Sequence, residues 1–182
     1  MLHVCSIRKY LVYCRDGRIF SENDEDLPPG EIGEIVIRGP NVMKGYLNRT
    51  QETESTLKNG WLHSGDLGYM DRDGYFFIVD RKKDMVIRGG ENVYPKEVEN
   101  LISGMPGVSE VAVVGKPDNT YGEEVVAFVV RKNPQLTSSE VIEFCRANIA
   151  WYKCPKEIFF LDELPKNSVG KIQKNDLRQR FT

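Results

Sequence analysis

Two valine-rich runs, Val108–Gly115 and Val125–Val130, constrain this chain more than any other feature. Neither alternates apolar with polar residues along its length, so both read as strands of a buried sheet. The segments around them have helical spacing. Pro95–Ser103 carries Val98, Leu101 and Ile102 on one face, and its proline falls in the first turn, where the missing N–H costs nothing. Ser138–Ile149 repeats Val141, Ile142, Cys145 and Ile149 at the same period, Ile158–Leu161 reads as a last strand, and Asn175–Phe181 reads as a terminal helix after the Pro165–Gly170 loop. Helices and strands alternate irregularly, which predicts an α+β fold with a small central sheet for this half.

The other half is richer in hairpin signals. Tyr10–Tyr13 and Arg18–Phe20 read as short strands around an Asp16-Gly17 turn, followed by an acidic surface loop over Ser21–Gly30. Glu34–Arg38 is a β-branched run bounded by glycines, and Thr50–Leu57 is turn-like or weakly helical. Asp66–Met70 and Tyr75–Asp80 flank Asp71-Arg-Asp-Gly74, whose Asp-Gly pair favours the positive φ of a tight hairpin. After Asp80 the charged stretch Arg81-Lys-Lys-Asp84 separates two apolar strands and marks a domain boundary. The expected organisation is a β-rich piece over 1–80, a hinge over 81–84, and a compact α+β domain over 85–182, in which Met85–Ile87 is a strand and Gly89-Gly90 a turn.

Composition excludes several classes. With 25 Lys+Arg against 27 Asp+Glu the formal charge is -2, so no basic stripe is available to hold nucleic acid. Cys5, Cys14, Cys145 and Cys154 form no C-x-x-C pair, and with only His3 and His63 beside them no metal site is expected. They read as reduced thiols. Charge at Arg8-Lys9 interrupts the apolar start before it could act as a signal sequence, and no transmembrane run follows. A cytoplasmic location is expected.

Four separated segments stand in a fixed order: Trp61-Leu-His-Ser-Gly-Asp66-Leu-Gly68, Asp80-Arg81-Lys-Lys-Asp84, Ile87-Arg-Gly-Gly-Glu-Asn-Val-Tyr-Pro95 and Leu164-Pro-Lys-Asn-Ser-Val-Gly-Lys171. Together they resemble the adenylate-forming enzymes, and most closely the acyl-CoA synthetases, or fatty-acid–CoA ligases, over Pro28–Thr182. The resemblance implies the C-terminal portion of such an enzyme. Residues 1–80 would be the last piece of a distorted β-barrel in the large domain, and residues 85–182 the mobile lid domain.

The implied reaction is ATP-dependent. A carboxylate attacks the α-phosphate of ATP, giving an acyl-adenylate and pyrophosphate, and CoA then displaces AMP. Two anions must meet in the first step, and a lysine ammonium between them offsets their repulsion. By the resemblance this is Lys171, which follows Gly170 on a loop expected to be flexible. Taken alone it is an exposed loop lysine. Asp66 matches the carboxylate that accepts the ribose diol of AMP, and Arg81 the arginine that supplements it; alone they read as a turn residue and a surface charge. Lys83 matches the hinge position, although Lys82-Lys83 as a solvated pair has the same appearance. Gly89 and Gly90 resemble the loop that lines the pantetheine tunnel of CoA, and Lys153, in Trp151-Tyr-Lys-Cys-Pro-Lys156, is a candidate for CoA phosphates. A Gly-Gly pair otherwise marks a turn, and these lysines otherwise lie on the surface.

The family's Ser/Thr/Gly-rich phosphate-binding loop and its magnesium-holding Thr-Glu element are not in this sequence. ATP and Mg are therefore expected to be held fully only in the intact enzyme, and the chain is expected to be a fragment inactive alone. Residues 1–20 depart from the family pattern. The implied substrate is a carboxylic acid, fatty or aryl; its identity and the oligomeric state, a homo-oligomer included, stay open. Alternatives are part of a peptide-synthetase adenylation domain, a luciferase-like oxidative activity, or a non-catalytic module that needs a complementary N-terminal half.

Overall fold

The computed structural model describes residues 6–7 and 16–181. The strand expected at Tyr10–Tyr13, and Cys5 and Cys14, lie outside the described residues. The chain divides after Lys83 into two compact units, each built on its own sheet. The class is α+β, mostly strands with four α-helices among the described residues.

The first unit contains β1 (Ser6–Ile7), β2 (Asp16–Phe20), β3 (Gly33–Arg38), α1 (Thr50–Thr56), β4 (Leu57–Lys58), β5 (Trp61–Met70) and β6 (Phe76–Arg81). The strands pair antiparallel in the order β1-β6-β5-β3-β2, with β4 added to β5. Asp16-Gly17 is not the hairpin turn expected from its sequence. Asp16 pairs with Arg38 and Gly17 with Ile37 in the β2/β3 ladder, and a 2.7 Å ion pair from Arg38 to Asp16 adds to it. The Asp-Gly preference is local, and cross-strand pairing overrides it here. At Asp71–Gly74 the same preference is realised: Asp71 Oδ1 accepts from the N–H groups of Asp73 (2.9 Å) and Tyr75 (2.8 Å), and Gly74 has φ +79°. Phe20, Val36 and Trp61 form the buried cluster of this sheet.

The second unit follows a 3-10 turn at Lys82–Asp84. It contains β7 (Val86–Arg88), β8 (Glu91–Val93), α2 (Pro95–Ser103), β9 (Val108–Asp118), β10 (Gly122–Arg131), α3 (Ser138–Asn148), β11 (Glu157–Leu161) and α4 (Lys174–Arg178). β10 is central: it pairs antiparallel with β9, parallel with β11, and antiparallel with β7 through Gly122 and Arg88. The three-residue strand β8 was not read from the sequence, and the last helix ends at Arg178 in a further 3-10 turn.

The valine runs are explained by cover on both faces. Val111, Val113, Val125, Ala127 and Val129 pack with Val98 and Ile102 of α2 and Val141 and Cys145 of α3. Their alternating neighbours Ala112, Val114, Val126 and Phe128 pack with Leu164 and with Leu177 of α4. Each fully buried valine stabilises the fold by roughly 1.5 kcal/mol or more, so a polar residue on either face would be costly. Among the described strands β9 is hydrogen-bonded only to β10. Its open edge is partly covered by the buried Glu99 of α2, which accepts from the Val113 N–H (2.9 Å) and pairs with Lys174 (2.7 Å). α3 begins at Ser138 because Thr137 and Glu140 form a reciprocal capping box.

No helix among the described residues is long and apolar enough to cross a membrane. Phe128, 1% exposed and stacked on Phe159 at 5.2 Å, should be costly to truncate. Phe128→Ala is expected to destabilise the second unit by about 3–5 kcal/mol, measured by chemical denaturation.

Candidate functional site

Asp66 and Arg81 are brought together by strand register. They are direct partners in the β5/β6 ladder, so their side chains leave the same face, and Arg81 Nε lies 2.7 Å from Asp66 Oδ1. The arginine is half exposed and the carboxylate about a quarter, which leaves the pair open to solvent.

The strand is not regular at Asp66. Glu34 pairs with Leu67 and Val36 with His63, so Ile35 of β3 faces Ser64, Gly65 and Asp66 of β5. Three residues oppose one, a special bulge with two extra residues in β5. Side chains replace the ladder bonds it loses: Ser64 Oγ donates to the Ile35 carbonyl (2.7 Å) and accepts from the Asp66 N–H (3.1 Å), while the Gly65 N–H donates to Glu34 Oε1 (3.0 Å). Gly65 has φ +72°, a conformation that favours glycine, although a Cβ there would meet no atom within 4 Å. Glycine is required for conformation, not for space.

Glu34 was read from the sequence only as the start of a strand. Its side chain is 7% exposed, and Oε2 accepts from His63 Nδ1 (3.1 Å) and Lys82 Nζ (3.0 Å). Lys82 is therefore not simply a solvated charge. Burial raises the Glu34 pKa, but the hydrogen bonds from His63, Lys82 and Gly65 outweigh it and hold the carboxyl below its ordinary value.

Lys82 opens the 3-10 turn at Lys82–Asp84, and Lys83 is its middle residue. Asp84, at the start of the second unit, is held by Arg178 Nη2 at 2.8 Å.

Lys171 sits on a tight turn closed by Asn167. The Asn167 N–H donates to the Lys171 carbonyl (2.9 Å), and the Gly170 N–H donates to the Asn167 carbonyl (2.9 Å). Asn167 Oδ1 accepts from the N–H groups of Val169 (3.2 Å) and Lys171 (2.8 Å). The loop expected to be flexible thus has a bonded backbone, with Gly170 at φ +77°. The Lys171 side chain is exposed and has no hydrogen-bond or ion-pair partner among the described residues.

Gly89 and Gly90 form the β7/β8 turn, with φ +59° and +88°. The Gly89 N–H already donates to the Tyr121 carbonyl (2.9 Å), and a Cβ at Gly89 would lie 3.0 Å from the Tyr121 ring; Gly90 opens on free space. Lys153 Nζ is engaged by both oxygens of Glu97, at 2.8 and 2.7 Å.

Beside this turn lies a cleft of roughly 450 Å³ lined by Arg88, Tyr121, Glu124, Arg146, Trp151 and Lys156, with Cys154 and Pro155. Arg88 braces it: Nε is ion-paired with the buried Glu124 carboxylate at 2.8 Å, Nη2 donates to that carboxylate (3.2 Å), and Nη1 donates to the Trp151 and Tyr152 carbonyls (3.3 and 3.0 Å). Its guanidinium lies between two exposed rings, 5.4 Å from the Tyr121 centroid and 5.5 Å from that of Trp151. Hydrogen bonds from Lys156 to Glu124 and Asp118 raise the lysine pKa, so Lys156 stays protonated. Burial pushes Cys145 up to about 12 and also raises Cys154, so neither is an activated thiol. Arg88, Tyr121 and Trp151 were missed because each is unremarkable in its own segment. Among the described residues no cluster of His, Cys, Asp or Glu side chains is placed to hold a metal ion.

Residues 97–171 match the family described as the AMP-binding enzyme C-terminal domain. The long-chain-fatty-acid–CoA ligase of Escherichia coli O6:H1 is 48% identical over 163 residues, 90% of this chain and 29% of that protein. The feruloyl-CoA synthase of an Amycolatopsis species is 49% identical over 167 residues, 91% of this chain and 34% of that protein. The crystal structure of ATP-bound MatB from Rhodopseudomonas palustris superposes with a TM-score of 0.86 at 44% identity, covering 91% of this chain and 34% of that one. The chain spans about a third of the length of the curated relatives it matches.

Acid should weaken the Glu34 cluster in a defined direction. Since the folded pKa is lowered, the stability that Glu34 contributes is complete above its ordinary value of 4.5 and is lost as pH falls through the folded value. Urea unfolding followed by Trp61 fluorescence, in a Trp151→Phe background, should show this loss on acidification, and Glu34→Gln should flatten that part of the curve.

Proposed function

We propose that this chain, a member of the adenylate-forming enzymes whose residues 97–171 match the AMP-binding enzyme C-terminal domain, serves an ATP-dependent acid–CoA ligation. A carboxylate and ATP give an acyl-adenylate and pyrophosphate, and the CoA thiol then takes the acyl group with release of AMP. The observation that carries this reading is the state of Lys171. Its backbone is fixed by Asn167, while its ammonium has no partner among the described residues. A cation that the fold does not neutralise remains available for a developing anion, and one such preorganised donor contributes a few kcal/mol to a transition state, about 10²–10³ in rate.

Asp66 accepts the ribose hydroxyls of the nucleotide, and Arg81, ion-paired with it through Nε, orients the carboxylate. Lys83 is the pivot between the two steps, a role supported by its place at the division of the chain. The cleft beside Gly89 and Gly90 takes the nucleotide end of CoA. Tyr121 and Trp151 offer ring faces to an adenine, and Arg146 and Lys156 offer charge to its phosphates. Gly90 leaves room for the pantetheine arm, and Lys153, fastened to Glu97, braces the Trp151–Lys153 turn.

The substrate is a carboxylic acid of fatty or aryl type, the classes named for the similar ligases. The family's glycine-rich phosphate-binding loop is not in this sequence, so full ATP binding is assigned to residues outside it.

The test is a fusion in which this chain replaces the matching third of the Escherichia coli O6:H1 relative. Acid-dependent pyrophosphate exchange and acyl-CoA formation are expected; their absence from a folded fusion would oppose the ligase reading. In the active fusion, Lys171→Ala should slow adenylate formation by about 10²-fold or more while leaving transfer from supplied acyl-adenylate nearly intact. Equal loss in both half-reactions would remove Lys171 from its role. Lys83→Pro, which fixes φ, should impair mainly thioester formation, and an unchanged thioester rate would exclude the pivot.

A further inference from the structure

We propose that Glu34 is a positioning residue of the nucleotide site, setting through one buried carboxylate both the bulge that carries Asp66 and the linker residue that follows Arg81. The proposal rests on the reading of Asp66 and Arg81 as ribose ligands.

The contacts form a closed circuit. Glu34 Oε1 accepts from Gly65, which is bonded covalently to Asp66; Asp66 pairs with Arg81, which is bonded covalently to Lys82; and Lys82 returns to Glu34 Oε2. Five residues from β3, β5, the end of β6 and the turn that follows it thus share one loop of interactions. The ladder cannot supply this constraint, because β3 and β5 lose register between Glu34 and Val36, where Asp66 projects. A bulge held only by main chain would leave the Gly65 N–H without an acceptor. The carboxylate fills that vacancy with one oxygen and uses the other to fix the far side of the pair.

His63 completes the support. Its side chain is 8% exposed and its Nδ1–H donates to Glu34 Oε2 from the same strand that bulges, with Asp24 Oδ1 at 3.9 Å from Nε2. Three donors therefore converge on a side chain too buried to touch a substrate itself. Glu34 acts through Asp66 and Arg81, whose separation and direction it sets.

The test has two measurements. In the 182-residue chain, Glu34→Ala should speed amide exchange at Gly65 about tenfold or more, because the half-buried donor loses its acceptor; unchanged exchange would overturn the proposal. In the ligase fusion, ATP and 3′-deoxy-ATP are compared in pyrophosphate exchange. Glu34→Ala should lose as much of the preference for ATP as Asp66→Ala does, and the double variant should lose no more. A general loss of stability lowers rates for both nucleotides but leaves their ratio alone, so a variant that keeps the preference lost by Asp66→Ala would overturn the proposal. Should the alanine chain fail to fold, Glu34→Gln carries both measurements. It can still accept from Gly65 but loses its charge toward Lys82, so an intermediate preference is expected, and wild-type values in both measurements would overturn the assignment. If Asp66→Ala itself keeps the ATP preference, the ribose reading fails, and the functional half of the proposal falls with it, whatever the exchange rates show.

Discussion

A carboxylate kept ionised inside a sheet organises the first unit. Taking such a group out of water costs several kcal/mol, and a single hydrogen bond would not offset it. Glu34 receives three, two of them from His63 and Lys82, and the balance falls on the side of the charged form. The irregular strand around Asp66 depends on that balance. With the carboxylate in place, β5 can leave its ladder for three residues and return to it. Without it, Gly65 would be a donor facing an empty acceptor position.

The second unit solves a different problem. Its central strands β9 and β10 are covered on both faces, so apolar burial there supplies stability but little discrimination, and the polar groups are concentrated at edges and turns. Glu99 covers the open edge of β9, Arg88 fastens β7 to Glu124 and to the Trp151–Lys153 turn, and Asn167 closes the loop before α4. Two of these groups stand beside exposed side chains: Tyr121 and Trp151 near Arg88, Lys171 near Asn167. Rigid backbone with an uncommitted side chain is the arrangement expected of a binding site.

Much of this was legible in the sequence where the signal is local. The Asp-Gly turn before Tyr75, the helix opened by Pro95 and the valine strands are each marked within a few neighbouring positions, whereas Asp66, Arg81 and Lys171 became candidates only through the resemblance carried by four separated segments. What was not legible depends on pairing between distant segments. Asp16-Gly17 has the same dipeptide as a hairpin turn but is drawn into β2 by β3. Glu34 looks like a strand residue because nothing nearby shows that Gly65 and Lys82 will converge on it. The cleft residues Arg88, Tyr121 and Trp151 come from three segments that only the central strand β10 and its neighbours bring side by side. Strand β8 is too short for any periodicity to register.

The doubly covered sheet has a consequence for accuracy of folding. Where one face is wet, slipping a strand by one residue exposes its apolar side chains and is strongly disfavoured. In β9 and β10 such a slip exchanges one oily surface for another, so burial barely penalises it. Alignment must instead come from the ends. Asp118 Oδ1 accepts from the N–H groups of Thr120 and Tyr121, and Gly122 turns at φ +77°, so the short connection between the two strands has one length and one shape. That connection also carries Tyr121, so the element that indexes the valine ladder and the element that presents an aromatic ring to the cleft are the same few residues. An insertion there would disturb both at once.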